Sequence, residues 1–475
     1  MSLSTLMKKK LKNALNAQRI AVVGASQEQV SVGMGPLYNL LSASFQGEVI
    51  PVNPKYDQLL GRKCYPDLES IDPPPDVAVL LLNQHLAIEM TERAAKLGVQ
   101  AVTIVAGGFK EVSSGGREME ERLHELALRL QIPVIGPNTL GFSSFHHGLH
   151  GIFWHLDTFP GPVAVVSQSG GVGLTIGQCL RSLQCGLSHF IGVGNGTVID
   201  FADYLDVLRD DPEVRTFCLF IEGLGNPRAF YETAKEITPR KPVVVYKAGK
   251  HEEVSRATAT HSGSLTGEYH LYRAMFRQAG ITEASSTWEA AVLSKALSTV
   301  QPPAGNRLCA LTFTAGPSIV AMDKLLEAGW EMPDISADAR RKIKTIIGEK
   351  TPVEIQNPVD LTGPGFLPHT YGRVLSALIE EPFDAYFIIW NYNRLIRLPT
   401  AELVSIREKT RKPFIIIFLA NQVEARPFVE DLTSRGFCVY LTPEDGAAAL
   451  NALLVRRRFL EEAQKLRNRL SDSPL

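Results

Sequence analysis

Short runs of β-branched and aliphatic residues alternate with longer helix-patterned stretches from one end of the chain to the other. The runs are RIAVVG from Arg19, EVIPVN from Glu48, VAVLLL from Val77 and AVTIVAGG from Ala101; VAVVSQSGG from Val163, FCLFIEG from Phe217 and PVVVYKAG from Pro242; and LCALTFTAG from Leu308, YFIIW from Tyr386, PFIIIF from Pro413 and CVYLT from Cys438. Strands apolar at nearly every position must be covered on both faces, and the stretches between them can supply the covering helices. That is the pattern of parallel sheets with crossover helices. It lapses twice, in the Gly/His-rich stretch Ser144 to Gly161 and in VQPPAGN from Val300 to Asn306. A chain of 475 residues is long enough for about three domains. The expected organisation is therefore α/β throughout: a Rossmann-like domain over residues 1–150, then two flavodoxin-like, doubly wound domains over 151–303 and 304–475.

The second and third domains share punctuation. Each opens with a strand, a small-residue loop and a helix (VAVVSQSGGVG from Val163, CALTFTAGPSIV from Cys309), and each later carries an acidic turn before a strand and then a Lys-Pro strand. The third domain needs an insertion, placed at Glu349 to Phe366.

Charge narrows the partners. With 49 Lys and Arg against 50 Asp and Glu, no global field favours nucleic acid or an anionic membrane, so any anion site must be local. Six scattered cysteines without C-x-x-C spacing read as buried thiols in a reducing compartment. No secretory leader or membrane span is expected, which places the chain in the cytoplasm.

The first candidate site follows the first strand. Gly24, Ala25 and Ser26, then Gly33, precede a helical run, at the sheet edge where unpartnered N–H groups bind phosphates. The spacing is not G-x-G-x-x-G. The second strand ends in Asn53, Pro54 and Lys55, where a dinucleotide-binding protein would place a carboxylate for the ribose hydroxyls. A cation there suits a ribose phosphate, as in coenzyme A; a lysine closing a strand in solvent is the other reading. Two further strand ends, with Gly107 in AGGF and Asn138 in GPNTLGF, are expected on the same crevice.

The second candidate site centres on His261. It lies in KAGKHEEVSRATATHSGSLTG from Lys247, a segment poor in large apolar residues and expected to be an exposed loop. An imidazole among hydroxyls is a competent nucleophile near neutral pH, although a loop histidine is usually just solvated. Ser167, Gln168, Ser169, Gly170 and Gly171 follow a strand and open a helix whose positive end could cradle a phosphoryl group. Gly316 and Ser318 offer a second such end in the third domain, and Glu222 is placed to accept the N–H of His261.

These motifs together resemble the α subunit of the NDP-forming acyl-CoA synthetases, relatives of the succinyl-CoA synthetase α subunit. GAS, VNPK, GPNTLG, SQSGG, IEG, KAG, THSGSLTG and NPVDLTG occur in order over nearly the whole chain. Thr260-His261-Ser262-Gly263 stands where the family commonly has Ser-His-Thr-Gly, and TAGPSI replaces a longer Gly-Gly loop. The resemblance implies that CoA, an acid and phosphate are handled through an acyl phosphate and a phosphohistidine at His261. The chain carries no triphosphate-binding loop. The resemblance therefore also implies that Mg2+ with ADP/ATP or GDP/GTP sits on an ATP-grasp β subunit, in a heterotetramer. Two other readings share the fold: a non-catalytic CoA-binding regulatory protein, and an NAD-linked oxidoreductase, which Asn53-Pro54-Lys55 argues against.

His146, His147, His150 and His155 lack regular ligand spacing and are read as linker or packing residues, with no metal assigned. WNYNRLIRLP from Trp390 is read as a strand-to-helix loop.

Overall fold

The computed structural model describes residues 3–26, 35–251 and 268–471. The chain divides into two compact units, Met1–Ala291 and Val292–Leu475.

The first unit holds two large sheets and a two-stranded hairpin, Gln58–Leu59 with Arg62–Lys63. In the first, the parallel strands Glu48–Val52, Arg19–Val23, Val77–Leu80, Ala101–Ile104 and Val134–Ile135 lie in that spatial order. In the second, the parallel strands run Thr282–Ala284, Val243–Lys247, Thr216–Ile221, Pro160–Ser167 and Leu187–Gly192. An antiparallel hairpin, Phe142–Ser144 with Leu149–His150, extends this sheet beside Leu187–Gly192. The second sheet thus draws on chain well before residue 151.

The second unit holds one sheet of Val359–Asp360, Leu308–Thr312, Ala385–Asn391, Phe414–Leu419 and Cys438–Tyr440, again all parallel. Taking parallel strands in chain order, all three sheets read 2-1-3-4-5. In each, the winding reverses between the first and third strands, and the carboxyl ends there form the natural crevice of an open α/β sheet.

Local chemistry explains the elements. Val163, Ala164, Val165 and Val166 are fully buried, as a strand covered on both faces requires. Helices begin where Asn83, Ser113, Ser169 and Asn226 accept N–H bonds from their own first turns. Helix Tyr269–Ala279 stops at Gly280, whose φ of 69° favours glycine.

The insertion of the second unit differs from expectation. Glu349 to Phe366 contains the sheet's own second strand, Val359–Asp360, and a 3-10 turn, Gly363–Phe366. The extra element is helix Ala337–Ile347, which follows Glu327, the end of the crossover helix, and has no counterpart between Ser182 and Leu187. The strand was overlooked because only two residues pair in it.

His146, His147 and His150 belong to the hairpin that extends the second sheet, and His155 lies beyond it. His146 bridges Glu213 and the Gly161 carbonyl at 3.2 and 3.1 Å, and His150 packs edge-on to Phe145. None of the six cysteines is in a disulfide. Among the described residues, no helix is long and apolar enough to cross a membrane.

Candidate active site

At the reversal point of the first sheet lies a crevice of about 750 Å³, lined by Gly24, Ser26, Asn53, Lys55, Gly107 and Asn138 from the sequence reading. Gly24 is required by space and conformation. Its φ is 82°, and a Cβ there would sit 2.8 Å from the Leu81 carbonyl oxygen. Its N–H donates to Val52 O at 2.9 Å, so the turn is held to the second strand rather than left open for an anion. Ala25 is fully buried and presents its carbonyl to the Asn53 amide at 2.7 Å. Asn53 in turn accepts the Lys55 N–H at 3.0 Å, a turn that sets the start of the exposed lysine chain at the crevice. Pro54 is exposed and is not among the lining residues. Gly33 lies outside the described residues.

The same crevice reaches Gly170, the first residue of helix Gly170–Ser182 in the second sheet's layer. Gly170, one residue of the second predicted site, therefore lines the cavity of the first. Between them stand Leu140 and Phe153, and an ideal Cβ on Gly170 would meet Leu140 at 2.6 Å. Glycine is what lets this helix start approach the crevice wall.

Around that helix start the polar groups are tightly organised. Ser167 is fully buried, and its hydroxyl donates to the Ser169 carbonyl at 2.6 Å, shaping the loop from beneath. Ser169 caps the helix at the Val172 N–H, while Gly171 is exposed with open space at its Cβ position. The Gln168 side-chain oxygen accepts the N–H groups of Glu222 and Gly223 at 2.9 and 3.0 Å, across the reversal point of the second sheet. Glu222 itself is 9% exposed. Its carbonyl accepts from Lys247 Nζ at 2.8 Å, and the same ammonium bonds the Ala248 carbonyl and lies over the Tyr272 ring. Burial pulls the Lys247 pKa down to about 8, against the opposing pull of the Glu222 carboxylate. His261 lies outside the described residues; Lys247 closes the strand from which its segment departs.

In the second unit, helix Ala315–Glu327 starts after Thr314, which makes no side-chain cap bond. Gly316 is exposed with open space at its Cβ position. Ser318 is buried, and its hydroxyl donates back to the Ala315 carbonyl at 2.6 Å. That donor is committed to the helix.

Sequence reasoning missed Tyr56, Leu81, Leu82, Asn83 and Phe153 on the crevice. Asn83 had a signal, since an asparagine just before an apolar-periodic stretch marks a helix start. The others are apolar or aromatic residues that only the fold brings to the crevice.

A crevice at the reversal point of a doubly wound sheet, reaching the glycine-opened start of a helix, is a place where such folds bind phosphate-bearing ligands. Comparison with known proteins agrees. Residues 18–144 match the family model described as a CoA binding domain, and residues 160–297 match the succinyl-CoA ligase like flavodoxin domain. The α subunit of acetate–CoA ligase [ADP-forming] I from Pyrococcus furiosus is 31% identical over 453 residues, covering 93% of this chain and 97% of that one. The acetate–CoA ligase [ADP-forming] of Methanocaldococcus jannaschii is 31% identical over 441 residues, covering 91% of this chain but 61% of its own length. Among solved structures, the acetyl-coenzyme A synthetase 1 of Ca. Korarchaeum cryptofilum, in complex with phosphate and ADP, superposes with a TM-score of 0.88 at 31% identity, covering 98% and 99% of the two chains. The chain belongs to the α subunits of the ADP-forming acyl-CoA synthetases, a family of acid–thiol ligases.

Proposed function

We propose that this chain interconverts an acyl-CoA and phosphate with a free acid, CoA and a phosphorylated His261. The observation that carries this reading is the single cavity joining Lys55, Gly107 and Asn138 to the helix start at Gly170. CoA fits the crevice beside the Gly24 turn, with the Lys55 cation suited to its ribose phosphate. The thioester end then lies toward Gly170. Inorganic phosphate attacks the acyl carbon, the C–S bond breaks, and the thiolate leaves as CoA. His261 next attacks the phosphorus of the acyl phosphate; the P–O bond breaks and the carboxylate departs as the free acid. Ser169, Gly170 and Gly171 would steady the phosphoryl charge at the helix start, a contribution of about 0.3–1 kcal/mol from the helix end, rising to about 2 kcal/mol in a partly buried site.

Glu222 is proposed to hold the imidazole and stabilise its cationic form, with Gln168 and Lys247 fixing its backbone. The nucleotide half-reaction, with Mg2+ and ADP or GDP, is assigned to an ATP-grasp partner subunit, and the pair to a heterotetramer. The portion of the Methanocaldococcus jannaschii ligase lying beyond the match is where a fused equivalent would sit. A cytoplasmic setting is proposed, in keeping with six cysteines standing as thiols.

The test is mass measurement of the chain after incubation with acetyl phosphate, or with acetyl-CoA and phosphate. The wild type gains one phosphoryl group, labile to acid and resistant to base. His261→Ala abolishes it, and Glu222→Gln slows it by about 10- to 100-fold. Retained labelling in His261→Ala places the nucleophile elsewhere.

A further inference from the structure

A buried polar cluster connects the two halves of the proposed site without touching the cavity through most of its members. Its hub is Asn195, 6% exposed, just beyond the strand Leu187–Gly192. The two hydrogens of its side-chain amide go to two different carboxylates, Glu111 Oε2 at 2.7 Å and Glu120 Oε2 at 2.8 Å. Carboxylates only accept, so the amide can face them in one orientation alone. Its oxygen accepts from the Asn138 amide at 3.3 Å, its backbone N–H donates to Pro137 O at 2.9 Å, and its carbonyl accepts from Lys110 Nζ at 2.8 Å. Lys110 also pairs with Glu120 at 3.0 Å, so one ammonium ties the Asn195 backbone to one of the two carboxylates that its side chain binds.

What this cluster holds is the wall of the CoA crevice. Glu111 Oε1 accepts the N–H groups of Gly108 and Phe109 at 2.6 and 3.2 Å. Burial pushes the Glu111 carboxyl up, but Asn195 and those backbone donors outweigh it and keep the group below the ordinary carboxylate range. An ideal Cβ on Gly107 would meet Glu111 Oε1 at 2.9 Å and Asn138 Oδ1 at 3.2 Å, so Gly107 is threaded between two side chains that both bond Asn195. On its other side, Asn195 is two residues from Val193, whose N–H donates to Ser167 O at 2.8 Å, at the root of the phosphate loop.

We propose that Asn195 is a positioning residue that keeps the CoA-binding wall at Gly107 and Asn138 in register with the phosphate-binding helix start. This rests on the ligase reading for the identity of the two ligands. Gly107 and Gly108 have little stiffness of their own, and without the amide nothing in the cluster joins the carboxylates of Glu111 and Glu120, of which Lys110 pairs with Glu120 alone. The wall then loses its fixed distance from Gly170, and the ligand that spans it suffers, whereas chemistry confined to the helix start does not.

The experiment uses the full chain and two probes: calorimetric titration with CoA, and phosphorylation by acetyl phosphate, which needs no CoA. Asn195→Ala weakens CoA binding by about tenfold or more, while labelling by acetyl phosphate stays within about twofold of wild type. Asn195→Asp, which adds a third carboxylate, weakens CoA further than alanine does. Glu111→Gln, which sets one amide donor against another, is a second variant that weakens CoA if alanine at 195 fails to fold. CoA binding equal to wild type in these variants, or an equal loss in both assays, overturns the proposal. A wild-type chain that binds CoA but takes no phosphoryl group overturns the ligase reading alone, and the CoA titrations still decide the role of Asn195.

Discussion

Two strand–loop–helix starts, Ser167 to Gly171 in the first unit and Thr312 to Gly316 in the second, are built on the same turn and equipped differently. In each, a buried hydroxyl at the strand end donates to the carbonyl two residues on, Ser167 to Ser169 at 2.6 Å and Thr312 to Thr314 at 2.9 Å. Above that shared turn they part. Gln168 reaches across the reversal point to the backbone of Glu222 and Gly223, whereas the matching Phe313 is buried in ring contact with Tyr371 and Trp390. Lys247 on the fourth strand of one sheet is answered by Phe418 on the fourth strand of the other, itself stacked on Phe428. One sheet edge is wired with polar groups and the other is plugged with aromatics. The same wind supports both because loop geometry follows from small residues and hydroxyls, while chemistry follows from what fills the reversal point.

The sharpest way to break this comparison is one substitution made twice. Gly171 and Gly316 are equivalent, helical and open at the Cβ position, so aspartate fits at either. A carboxylate in the first turn favours the helix by about 0.3–1 kcal/mol while repelling a phosphoryl group. Gly171→Asp should therefore cut phosphorylation by acetyl phosphate at least about 100-fold with no loss of thermal stability, and Gly316→Asp should cost less. Equal losses would make the two starts partners of one rank.

A smaller effect separates the fillings. Gln168→Leu strands two backbone N–H groups, each worth about 1–3 kcal/mol if left unpartnered in the interior, and should slow phosphorylation about tenfold. Phe313→Leu should instead lower stability by about 1 kcal/mol and leave the phosphorylation rate nearly unchanged. Rates and melting temperatures of the pair are the check, and a reversed ranking would contradict the division of labour.

The smallest effect is in pH dependence. Lys247 is held near 8 by burial, so above that pH the folded chain releases a proton that the unfolded chain keeps until its ordinary value. The unfolded state then binds more protons, and stability rises with pH across the window. The melting temperature of wild type minus Lys247→Met should increase from pH 7.5 to about 9.5. A flat difference would mean the ammonium is comfortable where it lies.

Much of the first site was legible. Gly24, Asn53, Lys55 and Gly107 follow strand ends, and strand ends of parallel sheets are readable from apolar runs that stop at small or polar residues. Tyr56 and Phe153 were not, because an aromatic in a loop carries no mark of the cavity it lines. Nor was the tie from Glu111 and Glu120 to Asn195, which lie in the layers of different sheets. Val359–Asp360 escaped as a strand because two paired residues are too few to show a period.

The chain's own pattern of apolar runs, glycines and capping hydroxyls determined three doubly wound sheets and the kind of loop at each first strand. Those are local matters, settled by burial on both faces of a strand and by which residues tolerate a tight turn. Only the tertiary structure decided that the crevice at Lys55 and the helix start at Gly170 are one cavity, and that a single buried amide spans two carboxylates beside it. Such adjacency depends on how crossover helices bring distant strand ends together, and no spacing along the chain encodes that distance.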